Sequence, residues 1–164
     1  MNDKHSPPIR RVVTGHDKAG HAIIRSDDSF ECNVIPSGDA AFSLLWTTAQ
    51  VPADNNDEID GRERDAGLTI QKGSVIRAVD MLPGGESPMH RSNSIDYGIV
   101  LWGSVELELD HKEKVILHAG DVCVQRGTIH LWRTIGDKPC RIIFVLTQAN
   151  PYIQNGKALP EIGP

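Results

Sequence analysis

Two short stretches hold the residues with chemical potential. In "GGESPMHRSNSIDYGIVLWG" (84–103) His90, Ser92 and Asp96 follow one another at even spacing. In "GDVCVQRGTIHLWRT" (120–134) His130 and Trp132 do the same. Residues two apart in an extended strand share a face, so His90, Ser92 and Asp96 point one way while Arg91 and Tyr97 point the other. Strands closing into a small barrel bring a later inward residue, His130, within reach of that cluster. Two imidazoles and a carboxylate can then work in two ways. Around a metal they form a 2-His-1-carboxylate set, suited to Fe(II) and tolerant of Mn, Ni or Zn. Without a metal, His90, Asp96 and His130 move protons as general acids and bases. The Ser92 hydroxyl is a poor ligand for divalent ions but can hold a water or orient a substrate. Trp132, in phase with His130, either stacks on a substrate or fills the end of the barrel. Arg77 and Arg133 can pair with an anionic group, although an arginine on a strand ordinarily sits outside, solvated or salt-bridged.

The elements that must position these residues read as strands. "RRVVTG" and "HAIIRS" flank "HDKAG", a hairpin whose Gly20 supplies the positive φ of the turn. "AAFSLLWTTAQV" is the next strand, and the polar run from 52 to 67 reads as a surface loop. Then "GSVIRAVDML", "SIDYGIVLWG", "SVELELD", "EKVILHAG", "DVCVQRG", "HLWRTI" and "CRIIFVLTQ" follow in quick succession. In "SVELELD" Val105, Leu107 and Leu109 alternate with Glu106, Glu108 and Asp110, which gives one wet face and one dry one. Many short strands without a helical period indicate an all-β sandwich or barrel. The tail from 149 to 164 is expected to lie over its surface.

Length and charge narrow the classes. The 164 residues (18.0 kDa) suit one domain spanning 1–164. The formal charge of −5, with no basic and aromatic stripe, argues against a nucleic-acid partner. No apolar run approaches a spanning helix, and the start "MNDKHSPPIRR" lacks the apolar region of a secretory signal. Cys32, Cys123 and Cys140 are odd in number and far apart, as expected of reduced thiols in a cytoplasmic protein. Cys123 reads as a core position rather than a nucleophile, and no phosphate-cradling or dinucleotide-binding glycine loop is present.

The two stretches together resemble the cupin superfamily. Its first motif, G-x5-H-x-H-x3-E-x6-G, is matched by Gly84, His90 and Gly103, with Ser92 at the second histidine and Asp96 at the glutamate. Its second motif, G-x5-P-x-G-x2-H-x3-N, is matched by Gly120, Gly127 and His130, with Gln125 for the proline and Thr134 for the asparagine. The resemblance implies a jelly-roll barrel, a double-stranded β-helix, with its core at about 68–148, N-terminal strands at 10–51 as a hairpin extension, and a homodimer. It implies catalytic or metal-binding roles for His90, Asp96 and His130, with Ser92, Trp132 and Arg77 toward substrate. Cupins host many reactions, so the activity must be argued from the site. The leading expectation is a small-molecule lyase, a dehydratase or decarboxylase acting on an oxygenated cyclic or polyketide-like metabolite of secondary metabolism, with or without a metal. The alternatives are a non-haem Fe(II) oxygenase or oxidoreductase and a metabolite-binding module without catalysis.

Overall fold

The structure is a computed structural model that describes residues 6–67 and 72–164. His5 and the 68–71 start of the expected barrel core lie outside the described residues. The chain opens with a hairpin of β1 (Ile9–His16) and β2 (Ala22–Phe30), turned at Gly20 with φ +85°. The strands that follow are β3 (Asn33–Val34), β4 (Ala40–Thr48), β5 (Ser74–Met81), β6 (Ser94–Trp102) and β7 (Ser104–Leu109). After them come β8 (Lys114–His118), β9 (Val122–Arg126), β10 (His130–Thr134) and β11 (Cys140–Gln148). A short pair, β12 (Ile153–Gln154) and β13 (Lys157–Ala158), closes the chain. The helical segments among the described residues are 3-10 turns at Gly61–Glu63 and Asp110–Lys112, and no helix is long and apolar enough to cross a membrane.

Two antiparallel sheets carry the barrel. The larger runs β3-β4-β5-β11-β6-β9 and the smaller β10-β7-β8. This is the all-β barrel of two facing sheets that the strand pattern predicts. Alternation puts Val79, Val100 and Ile142 of the larger sheet against Val105, Leu107, Leu117 and Trp132 of the smaller, in one buried apolar cluster. The wet face of β7 also behaves as its pattern predicts. Glu106 and Glu108 lie outside, where they pair with Lys114 and Arg133.

The outer face of the larger sheet carries a second, ionic anchor. Asp80 of β5 and Arg141 of β11 stand opposite each other in register and form a two-pronged ion pair, Nε–Oδ1 2.5 Å and Nη2–Oδ2 2.7 Å. Both residues are buried. The guanidinium also donates to the Pro7 carbonyl at 2.6 Å and lies 4.4 Å from the Trp102 ring centroid. This ties the N-terminal segment across the sheet. Elsewhere Tyr97, Leu101, Val122 and Val124 of β6 and β9 stay exposed, with Tyr97 and Val124 paired in register.

A buried ion pair that loses one partner leaves the other charge without water or counter-ion. Asp80→Ala should therefore lower the unfolding free energy by about 3–5 kcal/mol, measured by urea titration. The double change Asp80→Leu with Arg141→Met should recover most of that loss, because no charge then remains buried.

Candidate active site

The site begins with a backbone pairing outside the named strands. Residues 85–90 run antiparallel to β10, and Thr134 N–H donates to the Gly85 carbonyl at 3.0 Å. Ser87 N–H donates to the Trp132 carbonyl at 2.9 Å, and Trp132 N–H donates to the Ser87 hydroxyl at 2.9 Å. His90 and His130 exchange both backbone hydrogen bonds, at 2.9 and 3.0 Å. Directly opposed residues of an antiparallel pair project to the same side. The two imidazoles accordingly lie with ring centroids 4.3 Å apart, tilted by 53°.

The tautomers follow from their partners. His90 Nδ1 is 2.8 Å from the Pro88 carbonyl and His130 Nδ1 is 2.9 Å from the Thr128 carbonyl. A carbonyl can only accept, so each Nδ1 carries the proton and each Nε2 lone pair is free. His130 is buried, and burial, assisted by the neighbouring His90, pushes its pKa down to about 4 against the pull of the Thr128 carbonyl. It is a neutral base throughout the ordinary pH range.

Asp96 belongs to a separate polar row. Ser92, Ser94 and Asp96 are all buried on the inward side of the chain entering β6, and Tyr97 points out to solvent. Ser94 Oγ donates to Asp96 Oδ1 at 2.5 Å and lies 3.0 Å from Ser92 Oγ. Burial pushes the Asp96 carboxyl up to about 6, only partly offset by the Ser94 hydrogen bond and the charge of Arg77. Across the sheet Asp96 pairs in register with Gln125, whose amide nitrogen bonds the Thr128 hydroxyl while its buried Oε1 has no hydrogen-bond partner.

Aromatic rings join the histidines to the floor of the barrel. Trp132 meets His130 edge-on at 6.1 Å and Phe144 edge-on at 5.4 Å. Trp132 is buried in the apolar cluster, so it backs the histidine pair as part of the core. Phe144 stands in register between Arg77 of β5 and Gly98 of β6, and a side chain at Gly98 would meet the Phe144 ring at 3.0 Å. Arg77 thus faces inward and is buried, against the ordinary outside placement of a strand arginine. Arg133 does lie outside, among Glu86, Glu106 and Glu108.

Of the six residues singled out by sequence, His90, His130 and Trp132 come together as one group. Ser92 and Asp96 form a second with Ser94, and Arg77 acts on Asp96 through its charge. Ser94, Gln125 and Phe144 are additions. Ser94 was legible in principle, since it lies midway between Ser92 and Asp96 in the same alternation. Among the described residues no three His, Cys, Asp or Glu side chains come together as a metal-binding group. The two free Nε2 atoms are good donors, but a 2-His-1-carboxylate centre needs the carboxylate beside them. As placed, the side chains do not complete that centre.

Comparison with known proteins places this architecture. The cupin-domain family model matches residues 77–146, which hold the Arg77, Asp96 and histidine positions. Phomopsin biosynthesis cluster protein C' of Diaporthe leptostromiformis is 40% identical over 96% of this chain and 89% of its own length. The cupin-domain-containing oxidoreductase fogC of Aspergillus ruber is 36% identical over 92% of this chain and 78% of its own. Among solved structures, the cupin domain of Schizosaccharomyces pombe Cnp3 superposes with a TM-score of 0.54 at 13% identity, covering 88% of this chain and 89% of that one. That likeness concerns the fold. With family match, relatives and barrel in agreement, the chain belongs to the cupin family.

Proposed function

We propose that this cupin is a small-molecule lyase of secondary metabolism, a dehydratase or decarboxylase working by proton transfer at His90 and His130. The placement in secondary metabolism is supported by relatives described as phomopsin biosynthesis cluster proteins. One observation carries the chemistry: two imidazoles 4.3 Å apart, each with Nδ1–H committed to a carbonyl and Nε2 free. Neutral His130, backed by Trp132, takes a proton from the carbon next to a carbonyl. His90, the more exposed of the pair, takes up a proton from solvent at its free Nε2 and gives it to the departing hydroxyl, which leaves as water. His130 then returns the proton it has taken to solvent, which resets the pair. In a decarboxylation the same imidazolium would instead protonate the carbanion left by carbon dioxide. Asp96 and Ser92 orient substrate from the neighbouring row.

A second reading, an oxidoreductase, is favoured by relatives that carry that description, fogC of Aspergillus ruber among them. The two Nε2 atoms could contribute to a metal for such chemistry if substrate or a movement of the chain supplied further donors. The readings separate by experiment. Under the lyase reading His130→Ala and His90→Ala each lower kcat on an oxygenated ring substrate by roughly 100-fold or more, as loss of a general acid or base does. Chelator and exclusion of air leave the wild type unchanged. Activity that requires air or returns only with Fe(II) selects the oxidoreductase instead.

Asp96 gives a pH test of the polar row. Its folded pKa, about 6, lies above the ordinary carboxylate value, so the folded protein holds this proton more tightly than the unfolded chain. The resulting stabilisation is full below about pH 4 and is lost as pH rises through about 6. Asp96→Asn carries no such charge. Its stability relative to wild type should rise between these pH values, on the order of 2 kcal/mol, and level off above them. Urea unfolding of both proteins across that range checks the sign.

We also propose that the protein is a homodimer, with a second copy covering Tyr97, Leu101, Val122 and Val124 next to the edge of β9. Tyr97→Glu with Val124→Glu should then halve the mass seen by light scattering. A wild type that is already monomeric at tens of micromolar, by order of magnitude, would defeat this.

A further inference from the structure

The barrel holds one buried arginine that, unlike Arg141, has no ionic partner among the described residues. Arg77 is 7% exposed. Its Nη2 donates to the Gly67 carbonyl at 3.1 Å, while its buried Nε has no hydrogen-bond partner. Its guanidinium lies 6.0 Å from the Phe42 ring centroid. A buried cation without a counter-ion is costly, and an arginine keeps its proton in proteins. Asp96 feels its charge without forming an ion pair with it, and the other charged groups nearby are engaged or outward. Arg64 is paired with Asp57, and the exposed Asp65 accepts from Gly67 N–H.

Arg77 also borders space. It lines a recess of about 310 Å³ together with Phe42, Leu44, Ala66 and Gly67 as its near walls, and Arg64 and Asp65 at its rim. That volume lies at the small end of the range for small-molecule sites, roughly 300–1,000 Å³. A flat apolar ring suits Phe42 and Leu44, and a carboxylate suits the guanidinium donors that the Gly67 carbonyl leaves unused. Across the sheet Arg77 pairs with Phe144, which meets Trp132 edge-on as Trp132 meets His130, so the recess and the histidines share one inner wall with these two rings between them.

We infer that Arg77 is the receptor for a substrate carboxylate, and that the substrate is an unsaturated or aromatic ring acid. The inference rests on the lyase reading and sharpens it. A carboxylate held by a buried arginine is stabilised as the anion, which opposes its loss as carbon dioxide. Dehydration with the acid group retained is therefore the favoured reaction.

The test uses benzoate and its neutral analogue benzamide as probes, titrated calorimetrically into the wild type, Arg77→Gln, Arg77→Lys and His130→Ala. The wild type should prefer benzoate by roughly ten- to a hundredfold, the range for a charge-assisted hydrogen bond in a dry site. Arg77→Gln should lose that preference and Arg77→Lys keep part of it. With no ligand present, Arg77→Gln should melt at or above the wild-type temperature, because an uncompensated charge has been removed. Equal binding of the two probes by the wild type, binding of neither, or a preference that survives Arg77→Gln overturns the inference. If Arg77→Gln does not fold, the wild-type and Arg77→Lys titrations decide alone. His130→Ala should bind benzoate as the wild type does whatever happens to its turnover, so a failed lyase reading and a failed carboxylate receptor give different results.

Discussion

The antiparallel pairing of residues 85–90 with β10 is the constraint on which the rest of the site depends. It is not part of a named strand, yet it decides where both imidazoles stand. Each histidine is fixed three times: by its own backbone bond to the other, by an Nδ1–H given to a carbonyl two residues earlier, and by contact between the rings. The chain then turns directly into β6, carrying Ser92, Ser94 and Asp96 inward. From the last residues of the chain Ile162 pairs with Arg91, and the Glu161 carboxylate accepts from Asn93 N–H. The C-terminal tail thus holds the segment from its far side. Because backbone groups withdrawn from water must be paired, this layering is enforced by hydrogen bonding rather than by shape alone.

Two of the buried arginines, Arg141 and Arg77, show how the same side chain serves different ends. Arg141 is matched in geometry and charge by Asp80, and with Pro7 and Trp102 it fastens the N-terminal segment to the sheet. Arg77 lies two strands' width from the same sheet's edge, facing inward, and is only partly satisfied. Folding alone gains nothing from such a group. Gln125 Oε1 is a second buried polar atom without a partner on the same inner wall. Unmatched groups in an interior are expensive, so each of these atoms calls for a reason beyond folding. The apolar cluster below, with Val105 and Ile142 fully buried, supplies the stability against which that expense is set.

Much of this was legible in the residue order. Period-two alternation in "SVELELD" and "SIDYGIVLWG" marked the inward faces correctly, because a strand's side-chain period leaves no other choice once one face is wet. Glycines at turns marked the ends of strands, as Gly20 and Gly103 do with φ of +85° and +78°. The same alternation placed Ser92 and Asp96 inward and Tyr97 outward. It also put Trp132 in phase with His130, though not whether it would face a substrate or fill the core. The cupin spacing of the histidines added that the two motifs would meet.

What the sequence by itself determined is therefore local: strand, turn, facing, and the identity of the polar residues available inside. How those residues group was decided by the tertiary structure. Cross-strand register made His130 the direct partner of His90 and set Asp96 opposite Gln125, so the carboxylate joined a serine row instead of the imidazoles. Arg77 was expected toward substrate, but its burial without an ionic partner was decided by the tertiary structure, since alternation in β5 offers inward positions without saying what a cation there will meet. The physical reason is the range of the forces involved. Backbone sterics and hydrophobic periodicity act between neighbours in the chain, whereas pKa, ion pairing and the meeting of donors depend on distances across a barrel that only closure defines.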